Sequence, residues 1–298
     1  MENFKSGFVA VIGRPNTGKS TFLNAVIGEK VAIVSDKPQT TRNLLRGFYT
    51  TENYQIVFTD TPGMHKPRTA LGDYMVSSVK SALDGIDAVI YMIDAAAGLY
   101  TRDKEWLSAL AGVKAPVIVG VNKIDAAESV AVTLIEEEIR REYPFVHALV
   151  RLSAATGEGV NELVEQAAAC LPYGPPYYDP EYYTDQTEAF MVAEIIREKA
   201  LLLLRDEVPH GIGVDVERLK NKKNCVSINA SIICEKKSHK GMVIGKGGAM
   251  LKEIGSLARA DIERLMGKKV YLELWVKVRD DWRNDPTFLR QLGYVKRD

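Results

Sequence analysis

The amino-acid sequence predicts an α/β domain with a mostly parallel sheet and helices on both faces, followed by a smaller α+β domain. Apolar strand-like runs alternate with helical segments from Phe8 to Ala169, which is typical of a parallel sheet. The alternation stops at a segment rich in proline and tyrosine, LPYGPPYYDP at 171–180. A chain of 298 residues is long enough for about two domains. We therefore expect domains at 1–172 and 181–298, joined by a linker at 173–180.

Hydrophobic periodicity predicts the elements of each domain. In the first domain it predicts strands at 8–12, 44–50, 54–59, 88–93, 116–121 and 147–152, and helices at 21–27, 71–83, 103–110, 133–141 and 160–169. In the second domain it predicts helices at 190–204 and 250–266, and strands at 213–218, 225–235 and 270–278. The four prolines of 171–180 exclude regular structure there.

The first strand leads into a glycine-rich motif that fits the phosphate-binding pattern G-x-x-x-x-G-K-[ST]. Its residues are Gly13, Arg14, Pro15, Asn16, Thr17, Gly18, Lys19 and Ser20, and Thr21 follows in the predicted helix. A glycine turn at a helix N-terminus leaves several N–H groups aimed at one point, so an anion is favoured there. Lys19 would contact the β and γ phosphates, and Ser20 would offer its hydroxyl to Mg²⁺. The flanking strand and helix favour a nucleotide site over a fortuitous glycine turn.

Three more polar motifs follow strands, at the sheet edge where open α/β folds bind ligands. They are Asp60-Thr61-Pro62-Gly63, Asn122-Lys123-Ile124-Asp125 and Ser153-Ala154-Ala155. The Asp125 carboxylate can accept two hydrogen bonds from guanine, whereas adenine offers no such donor pair. Backbone N–H groups of 153–155 would meet the guanine carbonyl. Each motif alone is weak, since N-K-x-D is usually a surface turn, but their order indicates a guanine nucleotide.

Residues 8–170 resemble the Ras-type P-loop GTPase family, with all five of its motifs in order. The resemblance implies GTP as substrate, GDP as product and Mg²⁺ as cofactor. It makes Thr41, or its neighbour Thr40, the switch-one threonine that meets Mg²⁺ and the γ-phosphate. It also implies that Asp60 helps to hold Mg²⁺, that Gly63 contacts the γ-phosphate, and that the tetrad at 122–125 binds the base.

One departure from that family concerns hydrolysis. Ras-type proteins place a water-orienting glutamine directly after the D-x-x-G motif, whereas this chain has Met64. The alternatives are His65, a backbone group, a K⁺ ion near Asn16 or a group supplied by a partner. Loop histidines rarely act without a second orienting group, so an exposed His65 is the simpler interpretation. We expect slow intrinsic turnover.

The second domain contains a G-x-x-G turn within Val243-Ile244-Gly245-Lys246-Gly247-Gly248, directly before a predicted helix. Between 218 and 279 there are 15 basic against 5 acidic residues, which attracts polyanions. A helix cap and a solvated basic surface are the plain alternatives. The turn with its flanking lysines resembles the KH family, whose G-x-x-G loop clamps about four nucleotides of single-stranded RNA. The resemblance implies RNA contacts from residues 243–248.

A GTPase domain followed by a KH module resembles the Era GTPase family over nearly the whole chain. Further family-like segments are QTTR at 39–42, EVPH at 207–210, DWR at 281–283 and LRQLGY at 289–294, and Gly211 stands where we expect serine. The resemblance implies binding near the 3′ end of small-subunit ribosomal RNA and a part in maturing the small ribosomal subunit. It also implies a cytoplasmic location with peripheral contact to the inner face of the cell membrane.

Two other functions remain open from the residues alone. The first is a membrane-associated GTPase that regulates cell division, whose basic second domain binds anionic lipid rather than RNA. The second is the GTPase component of a tRNA-modifying enzyme, which requires a catalytic cysteine or a cofactor site. Cys170, Cys225 and Cys234 show no C-x-x-C spacing, so neither a disulfide framework nor a zinc site is indicated. No signal peptide and no apolar run of about 18 residues is expected.

Overall fold

A computed structural model of the chain describes residues 3–37, 39–63 and 69–294. By their contacts these residues divide into two compact units. The first unit contains residues 3–32, 41–63 and 75–185, and the second contains 33–37, 39–40, 69–74 and 186–294. By their contacts, the short segments 33–37, 39–40 and 69–74 therefore group with the C-terminal part of the chain.

The first unit is built on a six-stranded sheet in the order β2-β3-β1-β4-β5-β6. Its strands are β1 Lys5–Gly13, β2 Leu45–Thr50, β3 Tyr54–Asp60, β4 Ala88–Asp94, β5 Val117–Asn122 and β6 Val146–Arg151. Its helices are α1 Lys19–Ile27, α2 Ala70–Ser81, α3 Thr101–Leu110, α4 Ser129–Glu142 and α5 Val160–Ala169, of which α2 begins in the second unit. Only β2 is antiparallel to its neighbour. The predicted α/β fold is confirmed.

The sheet interior explains the sequence pattern of its strands. All residues of β4 and β5 are buried, which is why both strands are continuous apolar runs rather than alternating ones. Both strands end on polar residues, Asp94 and Asn122, at the same edge of the sheet. The parallel strand order thus brings the ends of β1, β4 and β5 together, as sequence order predicts.

The proline- and tyrosine-rich segment after α5 is fixed to the first unit. Gln55, fully buried in β3, accepts the N–H groups of Tyr177 (2.7 Å) and Tyr178 (3.0 Å) on its side-chain oxygen. Its side-chain nitrogen donates to the carbonyl of Tyr178 (2.8 Å), and the Tyr178 ring stacks on Phe48 with centroids 3.8 Å apart. These contacts replace the regular hydrogen bonds that proline forbids. The assignment of 173–180 as a linker between the two domains stays a prediction.

The second unit packs helices on a three-stranded sheet, in the order β7-β8-β9. Its elements are α6 Glu188–Leu203, β7 Ile212–Asn221, β8 Cys225–Cys234, α7 Lys237–Ile244, α8 Ala249–Met266, β9 Lys269–Val278 and α9 Pro286–Gln291. Strand β8 is antiparallel to β7 and parallel to β9, so α7 and α8 form the crossover between β8 and β9. The core joins side chains of α6, α8 and the sheet, including Ile196, Ile228 and Ile254. The predicted α+β module is confirmed.

Helices α7 and α9 are absent from the sequence prediction because both are short and lack an apolar stripe. Among the helices of the described ranges, none is long and apolar enough to cross a membrane.

Candidate nucleotide and nucleic-acid sites

The phosphate-binding loop closes around the ammonium group of Lys19. The Lys19 Nζ donates to the carbonyls of Gly13 (3.1 Å) and Arg14 (2.8 Å), and the side chain is buried. Helix α1 begins after Gly18, whose φ of 95° is accessible mainly to glycine. Burial lowers the pKa of Lys19 to about 8, while the nearby Asp60 carboxylate acts in the opposite direction. The loop thus holds a buried cation at a helix N-terminus, where phosphate oxygens would supply the missing negative charge.

Three oxygen-bearing side chains converge beside this loop, which fits a Mg²⁺ site. The Ser20 hydroxyl donates to Asp60 Oδ2 (2.6 Å) and lies 2.9 Å from the Thr41 hydroxyl. Asp60 is fully buried, and its Oδ1 has no hydrogen-bond partner among the described residues. Burial raises the pKa of Asp60, and Lys19 and the two hydroxyls oppose that shift. Hydroxyl and carboxylate oxygens are the ligands that Mg²⁺ prefers, so these residues fit the ion.

The structure distinguishes the two switch-one threonines. The Thr41 hydroxyl joins Ser20 and Asp60, whereas the Thr40 hydroxyl donates to the carbonyl of Lys37 (2.6 Å) within its own segment. Thr41 is therefore the residue placed for a metal ligand.

The D-x-x-G turn lies directly against the phosphate-binding loop. A Cβ atom on Gly63 would lie only 2.7 Å from the Pro15 Cα, so glycine is required for this approach. Thr61 donates to the carbonyl of Val11 (2.9 Å), which fixes the start of the turn to β1. Met64 and His65, on which the question of hydrolysis depends, lie outside the described residues.

Asn122 connects three of the predicted motifs. Its side-chain nitrogen donates to the carbonyl of Thr17 (2.8 Å), and its oxygen accepts the N–H of Ala154 (2.9 Å). The side chain is buried, and a Cβ atom on Gly18 would lie 2.1 Å from its nitrogen. Asn122 therefore holds the phosphate-binding loop against the 153–155 loop through one donated and one accepted hydrogen bond.

The other residues of the predicted base site have different surroundings. Lys123 pairs with Asp94 at 2.5 Å, whereas Asp125 is exposed and its carboxylate accepts no hydrogen bond within the described part of the chain. Ser153 donates its N–H to Glu158, so of the three N–H groups at 153–155 only that of Ala155 lacks an acceptor in the described ranges. Asp125 and Ala155 are thus the groups placed to meet a base.

Two carboxylates of this site were missed by sequence reasoning. Asp94 pairs with Lys123, and the fully buried Asp103 accepts from Arg14 Nε (2.7 Å) and from the Tyr91 hydroxyl (3.0 Å). Arg14 therefore directs its guanidinium to helix α3 rather than into the loop. The only sequence signals were the positions of these residues, since Asp94 ends β4 and Asp103 lies in the first turn of α3.

The G-x-x-G turn joins α7 to α8 in the second unit. Gly245, Gly247 and Gly248 all have positive φ, at 73°, 59° and 82°, so glycine suits each position. Lys246 is exposed, whereas Val243 is fully buried and supports the turn from the core. The RNA contacts predicted for 243–248 stay a prediction.

A groove of about 400 Å³ continues from this turn between α8 and β9. Its helix side carries Lys252 and Arg259, and its strand side carries Tyr271 and Leu272. Both cations are exposed, which suits a phosphate backbone, and the apolar strand side suits bases.

The DWR segment contacts Gly211, the residue directly after EVPH. The Trp282 indole N–H donates to the carbonyl of Gly211 (3.0 Å), and Arg283 forms two hydrogen bonds to Glu235. Trp282 is fully buried. These segments therefore fix the C-terminal part of the chain to the start of β7, which is a structural role.

Gly211 lies beside a buried polar atom, the Nδ1 of His239. The buried Nδ1 of His239 has no hydrogen-bond partner among the described residues. A Cβ atom on Gly211 would lie 3.6 Å from that nitrogen and 3.5 Å from Glu235 Oε2, both ordinary contacts. A serine here would have room, and its hydroxyl could reach either group.

Comparisons with known proteins agree with both sites. A family model described as 50S ribosome-binding GTPase matches residues 8–123, and one described as KH domain matches residues 207–283. GTPase Era of Alkaliphilus oremlandii is 48% identical over 293 residues, covering 98% of this chain and 99% of that relative. GTPase Era of Caldanaerobacter subterraneus subsp. tengcongensis is 50% identical over 294 residues, covering 98% of each chain.

Two solved structures match nearly the whole chain, each at 40% identity. A single-substitution variant of Aquifex aeolicus Era bound to GDP and AlF4⁻ superposes with a TM-score of 0.94. An Era complex with MgGDPNP and nucleotides 1506–1542 of 16S ribosomal RNA superposes with a TM-score of 0.95. In each case 98% of this chain and 100% of the other chain are covered.

The fold and its two sites define a P-loop GTPase that carries a KH domain. The identity to its relatives over nearly their full length shows more. The chain belongs to the Era family of GTPases, as its sequence motifs predicted.

Replacing Asn122 with alanine tests whether this residue holds the nucleotide site together. We expect weaker GDP binding and a less stable nucleotide-free protein, because two buried groups lose their partners at about 1–3 kcal/mol each. Calorimetric titration with GDP and urea unfolding measure the two effects. Asn229→Ala, on the sheet of the second unit, is the control and should leave GDP binding unchanged. Unaltered GDP affinity in Asn122→Ala would show that the bridge is dispensable.

Replacing Gly211 with serine should stabilise the protein. The new hydroxyl can pair with His239, worth about 1 kcal/mol, and the loss of glycine further restricts the unfolded chain. Gly211→Ala separates the two contributions, because it restricts the unfolded chain without adding a hydrogen bond. Urea unfolding of the three proteins should rank serine above alanine above glycine. Equal stability of the serine and alanine variants would disprove the hydrogen bond.

Proposed function

We propose that this protein is a GTP-hydrolysing switch that binds the 3′ end region of small-subunit ribosomal RNA and assists maturation of the small ribosomal subunit. The observation that carries the proposal is a Mg²⁺-fitting oxygen cluster beside a phosphate-binding loop, in the same chain as a G-x-x-G turn with a basic groove. The Era relative solved with MgGDPNP and 16S ribosomal RNA supports both halves.

The chain's own residues would perform distinct parts of GTP hydrolysis. Lys19 and the N-terminus of α1 would bind the β and γ phosphates, and Ser20, Thr41 and Asp60 would hold Mg²⁺. Bound Mg²⁺ supplies charge neutralisation on the transferred phosphoryl group. Asp125 and the N–H of Ala155 would orient guanine. The group that orients the attacking water, K⁺ near Asn16 included, stays open.

The switch-one segment offers a physical route from the nucleotide to the second unit. Ile33 joins the core that contains helix α6, and the Val34 N–H donates to Glu198 on that helix (3.0 Å). Arg197 is 1% exposed; it forms two hydrogen bonds to Glu194 and donates to the carbonyls of Gln39 (3.5 Å) and Thr40. Burial opposes the charge of Arg197, but Glu194 outweighs it and raises the pKa. The guanidinium thus holds a stable charge on the backbone of this segment.

The peptide bond after Thr40 leads directly to Thr41, the residue placed at the metal site. If the position of Thr41 changes when the γ-phosphate is released, the segment before it, which is bonded to α6, would therefore be displaced. The two nucleotide states would then differ in RNA affinity, and by linkage RNA would shift GTP affinity equally. A peripheral contact with the inner face of the cell membrane is part of the same proposal.

RNA binding to the full-length protein tests the proposed function. We expect RNA from the 3′ end of small-subunit ribosomal RNA to bind more tightly with a non-hydrolysable GTP analogue than with GDP, and more tightly than a scrambled RNA at the same salt. Gly247→Asp should weaken binding at least tenfold. Aspartate tolerates the left-handed region and nothing lies within 4 Å of a Cβ there, so the change adds charge without a clash. Fluorescence anisotropy measures all these affinities.

Vesicles with and without anionic lipid provide the alternative ligand. Two results together would favour the membrane function over the ribosomal one. The protein would bind both RNAs equally weakly in both nucleotide states, and it would bind anionic vesicles tightly with no change in Gly247→Asp.

Replacing Arg197 with lysine should reduce the difference in RNA affinity between the two nucleotide states. Lysine keeps the charge but has no planar fork to bond Glu194 and the Thr40 carbonyl together. The same anisotropy assay measures the ratio of the two affinities, and unfolding by urea monitors stability. Arg264→Lys is the matched control, because Arg264 pairs with Asp261 three residues away on an exposed helix face. The double variant Arg197→Met/Glu194→Gln removes both charges of the pair. If the ratio of the two RNA affinities is unchanged in this variant and in Arg197→Lys, the Arg197 contacts do not couple the nucleotide to RNA binding.

A further inference from the structure

The three-stranded sheet of the second unit has an open face opposite its helices. On β9 the residues Val270, Leu272, Leu274 and Val276 pack in the helix-facing core. Because side chains alternate along a strand, Tyr271, Glu273, Trp275 and Lys277 lie on the other face. Tyr271 is 57% exposed and Trp275 is 60% exposed, the two most exposed aromatic residues of this sheet. This face of the sheet therefore presents two large rings to solvent.

Polar side chains of the neighbouring strand lie between these rings. The backbone register pairs Ser227 with Tyr271, Asn229 with Glu273 and Ser231 with Trp275. Glu273 accepts hydrogen bonds from Asn229 (2.6 Å) and from the Tyr271 hydroxyl (3.0 Å), which fixes the tyrosine ring. The open face thus carries two exposed rings, Tyr271 and Trp275, with Asn229 and Glu273 between them. Either ring can stack with a planar ligand.

One end of this face carries a group of positive charges. The β7–β8 hairpin and the turn into β9 meet there, since Cys225 pairs with Lys269. The basic residues at this end, all exposed, are Lys220, Lys222, Lys223, Lys268 and Lys269, and the exposed Arg218 lies farther along the sheet, level with Glu273. None of them forms an ion pair within the described ranges, so their charge is available to a polyanion.

The acidic residues of the face are already engaged. Glu217 accepts from Lys277 (2.7 Å) and Ser231, Glu273 accepts from Asn229, and Asp215 accepts from Gln291 (2.8 Å). The far end of the face is covered, because Trp282 and Leu292 lie within 3.2 Å of a Cβ placed on Gly213. What stays open is the stretch from the lysine-rich end to Trp275.

We propose that this open face is a second RNA-contact surface, on which bases of a single strand stack against Trp275 and Tyr271 while the lysine-rich end meets its phosphates. The proposal rests on the proposed RNA-binding function. Tyr271 also lines the groove between α8 and β9, so it stands where a strand leaving the groove reaches the open face. Stacking of unpaired bases on aromatic rings beside basic residues is the general mode of single-strand binding. A duplex could use the lysines but not the rings.

The distinguishing test compares a short and a long single-stranded RNA on the full-length protein. Trp275→Ala should leave the affinity for an oligomer of about four nucleotides, the length a KH groove clamps, unchanged. It should weaken an oligomer of about twelve nucleotides by roughly 5- to 150-fold, which corresponds to one base–aromatic stack. Trp275→Phe should restore most of the long-oligomer affinity, because phenylalanine also stacks. Leu257→Ala, another exposed apolar residue of this unit at 44% exposure, is the matched control.

The lysine-rich end has its own readout. Lys222→Ala/Lys223→Ala should lower the slope of log affinity against log salt by about 1.4 for the long oligomer only, since two phosphate contacts are removed and each contributes about 0.7 on a single strand. Long-oligomer affinities in Trp275→Ala and the lysine variant equal to wild type would overturn the proposal. A second result would also overturn it. If Trp275→Ala binds small ribosomal subunits more weakly than wild type but binds both RNAs equally well, the face contacts a protein partner instead of RNA.

Failure of the proposed function looks different from failure of this inference. If Gly247→Asp leaves the affinity for both oligomers unchanged, the groove itself does not bind RNA and the proposed function fails. If Gly247→Asp weakens both oligomers while Trp275→Ala weakens neither, the groove binds RNA and only the second surface is disproved.

Discussion

The buried charge pair of Lys19 and Asp60 is the constraint on which the nucleotide site depends. Both side chains are taken out of water, and burial shifts each pKa toward the neutral form. Neither charge is fully compensated by the protein: the ammonium is held by carbonyls, and one carboxylate oxygen has no partner in the described part of the chain. A phosphate chain and a divalent cation are the two ligands whose charges complete this arrangement. The sheet edge, the glycine turns and the Asn122 bridge all serve to keep it in place.

The same reasoning applies to Arg197 in the second unit, with the opposite outcome. Glu194 pairs with the buried guanidinium through two hydrogen bonds, and the other N–H groups of Arg197 hold the backbone of residues 39–40. A buried charge without enough partners in the protein favours the binding of a ligand, whereas a buried charge with such partners stabilises the local structure. This contrast explains why the pair at 194 and 197 orders the switch-one segment instead of binding a small molecule.

Sequence patterns predicted what local periodicity and motif spacing control. The strands of the first unit, the G-x-x-G turn and the phosphate-binding loop all follow from such signals. Partners that meet across long sequence separations could not be predicted, such as Arg14 with Asp103, Asn122 with Thr17, and Val34 with Glu198. Thr40 and Thr41 illustrate the limit, since two adjacent identical residues differ only in what the fold brings beside them. The short helix α7 was missed because its glycine and lysines hide the helical pattern.

The two sites use one backbone device in two electrostatic settings. Helix α1 begins after Gly18 and helix α8 after Gly248, and both glycines are in the left-handed region, so each helix N-terminus with its positive dipole end follows a glycine turn. In the first site the accompanying lysine is buried, and an anion must be enclosed to reach it. In the second site Lys246 is exposed, and an anion can remain part of a longer chain. Burial of the lysine thus separates a site for a discrete, enclosed phosphate group from a site that a continuous phosphate backbone can cross.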